Sequence, residues 1–183
     1  MLIKQYFHIK RWKYGILKII SIFFILMVNQ VHAADREFQL KAAFIYNITR
    51  MVEWSSEDKD LPLILCFFGE HKFGDTLQSF KNKTVGNRSL RVHKAIPFEE
   101  ITQCNILFIS DGEKAVLDEI LPEIENLPIL TIGDIEDFAK NGGIINLVSR
   151  GERIKIYINL KMAKKSNIKI SSKLLSLAVI IDR

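Results

Sequence analysis

Three short, unbroken apolar runs constrain this chain more than anything else in it. Pro62-Leu-Ile-Leu-Cys-Phe-Phe68 ends at Gly69, Asn105-Ile-Leu-Phe-Ile-Ser110 ends at Asp111-Gly112, and Leu127-Pro-Ile-Leu-Thr-Ile132 ends at Gly133. A strand with one wet face alternates apolar and polar residues, whereas a strand covered on both faces has no need to. The intervening segments at 70–80, 113–121 and 134–141 read as helices, and Arg88 to His93 alternates weakly, as an outer strand would. Strands alternating with helices predict an α/β fold, here a single compact sandwich with a mostly parallel central sheet and flanking helices. Further on, Ile144–Ser149 and Arg153–Asn159 flank Arg-Gly-Glu and predict a C-terminal antiparallel hairpin. Two closing helices follow at 161–167 and 172–181, the second capped by Ser171 or Ser172.

The first residues do not belong to this pattern. Lys4, Lys10, Arg11, Lys13 and Lys18 precede the apolar run Ile19–Val28, and Val31-His32-Ala33 offers a cleavage site, so 1–33 reads as a signal peptide removed after Ala33. The run is interrupted by Asn29 and Gln30, well short of the roughly 20 apolar residues of a spanning helix. Residues 34–183 are then expected to form one exported domain. The chain holds 26 Lys+Arg and 21 Asp+Glu; removing the leader's five bases leaves 21 of each. The basic pI therefore belongs to the leader, and nothing in the remaining charge favours a nucleic-acid partner.

Asp35 is placed to cap a helix running to about Trp54, whose apolar residues cover nearly its whole circumference. Such a helix is either sandwiched within its own domain or packs one face on the core and another on a second chain. On the second reading Phe44, Tyr46, Met51 and Trp54 form a partner or dimer surface. Cys66 and Cys104 are the only cysteines. An oxidising compartment favours their pairing, and two buried thiols are the alternative.

Chemistry is sparse. Thr131-Ile-Gly-Asp-Ile-Glu-Asp-Phe-Ala-Lys-Asn-Gly-Gly143 lacks the G-x-G-x-x-G spacing that cradles pyrophosphate and the D-x-D-x-D-G spacing of a calcium loop. It reads as a strand, then a helix with Asp134 as its cap and Glu136 and Asp137 in its first turn, closed by Gly142 or Gly143. Beyond the leader only His71 and His93 remain, and Ser110-Asp111-Gly112 is no nucleophile elbow. No catalytic residue, metal site or cofactor is assigned. Lys161, Lys164, Lys165, Lys169 and Lys173 form a basic stretch, read as a solvated face or as a surface for an acidic partner or anionic lipid.

Three blocks resemble the YfiR-like family of bacterial periplasmic proteins: Lys41–Trp54, then Ile64–Gly69 with Thr102–Ser110, and Leu130–Ala178. The resemblance implies a non-catalytic α/β sandwich, often a homodimer. It also implies a repressor that binds the periplasmic sensor domain of a membrane diguanylate cyclase, YfiN, lowering cyclic di-GMP and biofilm formation. Cys66 and Cys104 match the family's disulfide, while the second pair carried by some members is missing here. The rival expectation is a small-molecule-binding sensory module that reports to another receptor.

Overall fold

The computed structural model describes residues 36–54, 60–69, 72–151 and 153–181. The leader, with its cleavage site, and His71 lie outside them. The compact unit that carries the fold begins at Phe38.

The three apolar runs become the middle of the sheet. Strands β2 (Leu63–Phe68), β5 (Ile106–Ile109) and β6 (Leu130–Gly133) run parallel, with Leu65 opposite Ile106 and Ile106 opposite Leu130. β4 (Arg88–Ile96) extends the parallel set on one side and β7 (Ile145–Arg150) on the other. β7 then pairs antiparallel with β8 (Arg153–Asn159), the expected hairpin. Two edges complete an eight-stranded sheet of order β10-β8-β7-β6-β5-β2-β4-β3: β3 (Thr84–Val85) antiparallel to β4, and β10 (Val179–Ile181) parallel to β8. The mostly parallel α/β sandwich read from the sequence is therefore the fold of the chain.

Why β5 is apolar throughout is visible in its packing. Ile106 and Phe108 face one core with Leu63, Leu65 and Phe67; Leu107 and Ile109 face the other with Cys66. All four β5 side chains are fully buried, so neither face leaves room for a polar residue. The first core is roofed by helix α1 (36–49) and a 3-10 helix at Gly74–Phe80, through Ala42, Ile45, Ile48, Leu77 and Phe80. Within it Phe73 packs edge-on against Phe67 and Phe108, with centroids 5.1 Å apart in each pair. The second core is covered by a 3-10 helix at Phe98–Gln103 and by α2 (Leu117–Ile124), through Ile101, Leu117, Ile120 and Ile124.

Several expected helices are corrected. α1 stops at residue 49, not near Trp54. Its last turn tightens, Met51 N–H donating to the Ile48 carbonyl at 2.9 Å, and the chain leaves as β1 (Val52–Trp54). β1 pairs antiparallel with β9 (Ile168–Ile170) in a separate two-stranded sheet. A β-branched residue and a tryptophan on either side of an exposed Glu53 suit a short strand better than a helix end. Between β5 and β6 the predicted 113–121 becomes a 3-10 stretch, Asp111–Val116, followed by α2, which reaches Ile124. The predicted 70–80 narrows to the 3-10 helix at Gly74–Phe80.

At the end of the chain, α3 (Leu160–Lys165) stands where it was expected, with the Asn159 side chain accepting from Met162 N–H at 3.1 Å. The second closing helix is reduced to α4 (Ser172–Leu175), with Ser171 as its cap, and Val179-Ile-Ile181 forms β10 instead. Three consecutive β-branched residues favour the strand.

The largest correction falls on 134–141, which is a series of turns and not a helix. Asp137 sits at φ 58°, incompatible with a continuous right-handed helix. Local turn bonds serve the carbonyls of Asp137 and Phe138, and side chains from outside serve others: Asn146 Nδ2 donates to the carbonyls of Gly133 (3.1 Å) and Ile135 (2.9 Å), and Asn159 Nδ2 donates to that of Ala139 (2.8 Å). Turn bonds and two buried amides thus stand where a helical ladder was expected. The fully buried Phe138 ring lies against Gly133 and Gly143, where any Cβ would collide with it. Those glycines make room for an aromatic ring, and Gly142, at φ 105°, carries the chain out of the turn.

Candidate functional site

Phe44, Tyr46, Met51 and Trp54 are each half-buried and pack against the first core. Tyr46 Oη donates to the Thr84 carbonyl at 2.9 Å, and its ring lies 5.2 Å from Lys83 Nζ and 5.7 Å from the Arg50 guanidinium. Trp54 Nε1 donates to the Asn105 carbonyl at 3.2 Å. The two polar-tipped aromatics of the four, Tyr46 and Trp54, therefore commit their donors within the chain. The stripe of α1 that faces solvent is Gln39, Ala43, Asn47 and, just past its end, Arg50. Its spacing of three and four residues is that of one helical face.

Where Ala42 and Ala43 keep α1 slim, a groove of about 450 Å³ opens between α1 and the Gly74–Phe80 helix. Phe80 lines its apolar wall, and Gln39, Asn47, Asp75 and Lys83 bring polar groups to it. A second recess, of about 340 Å³, lies at the start of β2 and β4.

Cys66 and Cys104 are joined in a disulfide, with Cα atoms 5.9 Å apart. Cys66 points from β2 into the second core, and the bond fastens the end of the Phe98–Gln103 helix to the sheet. No free thiol remains.

A charged pair connects two of the sequence blocks. Lys41 Nζ lies 2.7 Å from Asp134 Oδ2, and the side chains are only 7% and 9% exposed. The Asp134 Oδ1 atom is buried without a hydrogen-bond partner, and Lys41 Nζ also sits 5.0 Å from the Phe38 ring centroid. Asp134, read from the sequence as a helix cap, instead fixes α1 to the end of β6. The residue types carried no signal for this, since an acid after a strand and a lysine on a helix are ordinary surface features.

Among the described residues no three His, Cys, Asp or Glu side chains group as a metal site, and His93 is exposed. Lys161, Lys164, Lys169 and Lys173 are exposed, while Lys165 pairs with Glu125 at 2.9 Å. No described helix is long and apolar enough to cross a membrane.

Residues 38–179 match the model of the YfiR/HmsC-like family, and the chain belongs to it. That is a regulatory family and not a catalytic one, and its members are periplasmic. No curated protein matches the chain. Among solved structures it is similar to an ABC domain from Streptococcus pneumonia, in complex with L-Trp (11% identity, 66% of this chain and 55% of that one, TM-score 0.47). It is also similar to a conserved domain protein from Vibrio cholerae O1 biovar El Tor (10% identity, 79% and 60%, TM-score 0.47). The chain thus spans less than two thirds of either neighbour.

Proposed function

We propose that this protein is a periplasmic repressor that binds the sensor domain of a membrane diguanylate cyclase, holds it inactive and so lowers cyclic di-GMP and biofilm formation. Membership in the YfiR/HmsC-like family over residues 38–179 carries the reading. Its mechanism is occupancy: tighter binding to the inactive state of a two-state receptor shifts that receptor's population, and no bond is made or broken. The leader at 1–33 delivers the domain to the compartment where the sensor faces. Phe44, Tyr46, Met51 and Trp54, with the exposed stripe of α1 beside them, are the surface proposed for the partner or for a second copy.

The test is made in the host. Deleting the gene raises cellular cyclic di-GMP, and overexpressing it with the leader intact lowers it. Unchanged cyclic di-GMP in both strains, with the protein present, would sink the cyclase reading and favour a sensory module that reports to another receptor. The two recesses are what support that alternative, since each has the size of a small-ligand site.

A further inference from the structure

We infer that the recess at the start of β2 and β4 is a site for a small anionic molecule carrying a carboxylate or phosphate group. Its polar lining is Arg88, Arg91, Gln103 and Asn105, with no acidic residue among the lining side chains. Leu61, Pro62 and Ile64 supply the apolar part.

Donors outnumber acceptors there. Arg88 is held in place, Nε donating to the Leu61 carbonyl at 2.6 Å and an Nη to the Pro62 carbonyl at 3.3 Å. Among the described residues its remaining N–H groups have no further partner and its charge meets no carboxylate. The side chain of Arg91, opposite Ile64 in the parallel register, has neither a hydrogen bond nor an ion pair among the described residues. Asn105 spends its acceptors internally: Oδ1 takes the Ile64 N–H at 2.8 Å, and its carbonyl takes Trp54 Nε1 at 3.2 Å and Leu130 N–H at 2.9 Å. What Asn105 has left is its amide Nδ2, a donor. Two guanidiniums and two amides therefore line a volume in which, among the described residues, Gln103 Oε1 is the side-chain acceptor left over and no carboxylate offsets the two positive charges. An oxyanion satisfies that inventory, and Arg91's planar fork suits a carboxylate or a phosphate in bidentate contact.

The lining is also held rigidly. Cys104 lies between Gln103 and Asn105, and its disulfide to Cys66 ties that segment to β2. Two walls of the recess are thus set before any ligand arrives, which reduces the ordering cost of binding. The site does not depend on the cyclase reading; it would equally serve a repressor or a sensory module.

Titration calorimetry on the mature protein tests it, using inorganic phosphate and succinate separately against sodium chloride at matched ionic strength. The expected result is saturable binding of at least one oxyanion, weakened about tenfold or more by Arg91→Gln. Arg91 is exposed, so the variant keeps its thermal midpoint, and Lys161→Gln, an equally exposed cation elsewhere, leaves binding unchanged. Phosphate alone, or succinate alone, identifies the oxyanion. No saturable binding of either, or equal binding by Arg91→Gln, would overturn the assignment.

Discussion

At the scale of single residues, the Lys41–Asp134 pair is a buried ion pair, unlike the more exposed Lys140–Asp137 and Lys165–Glu125 pairs. Neither side chain is more than 9% exposed, so water does little to screen the attraction or to replace it when one partner is lost. Lys41→Met is expected to destabilise the domain by about 3–5 kcal/mol, because it strands a buried carboxylate. Asp134 already has one oxygen without a hydrogen bond, so the pair is not fully compensated in the native protein. Lys41→Met combined with Asp134→Leu should therefore cost less than the sum of the two single changes. Urea unfolding of the four proteins gives the coupling energy, and strict additivity would show that the two charges do not sense each other.

Among elements, the disulfide and the turn at 134–141 matter most. Cys66 and Cys104 are 38 positions apart, a loop whose closure stabilises by about 4 kcal/mol in the chain-entropy model. Replacing both cysteines by serine is expected to lower the denaturant midpoint and to steepen the transition, because the denatured chain is no longer held compact by the crosslink. An unaltered midpoint would mean that the Phe98–Gln103 helix is held by packing alone. The strands were legible in the sequence because burial on both faces leaves its mark in every consecutive residue, as at Ile106–Ile109. The turn was not, because its geometry is dictated from elsewhere: by Asn146 and Asn159 arriving from β7 and β8, and by the Phe138 ring needing two glycines. Asp134, Glu136 and Asp137 looked like a helix start for a sound local reason, and tertiary partners overrode it. The site was less legible than the fold. Arg88 and Arg91 appeared only as members of a weakly alternating outer strand, and nothing local shows that Arg88 bonds the Leu61 and Pro62 carbonyls while the Arg91 side chain has no partner among the described residues.

For the whole molecule, the open quantity is its stoichiometry. The proposed homodimer predicts twice the chain mass by light scattering at micromolar concentration. Ala43→Glu, on the exposed stripe of α1, is expected to return it to the single mass while leaving the fold intact. A single mass for the unaltered protein would remove self-association and leave α1 to the receptor alone. Residues 34–183 carry equal numbers of basic and acidic side chains, so bulk charge favours neither contact and modest salt should change them little. One residue described above gives these measurements a common probe. Of the two tryptophans in the sequence, Trp12 falls in the leader, so Trp54 is the sole indole of residues 34–183. Its N–H is anchored on Asn105, whose other atoms reach β2 and β6 and whose amide lines the arginine recess. Residues 34–183 thus carry a single native tryptophan at the junction of the two sheets. Opening of the disulfide, arrival of an anion and detachment of β1 would each change its emission, with no label added.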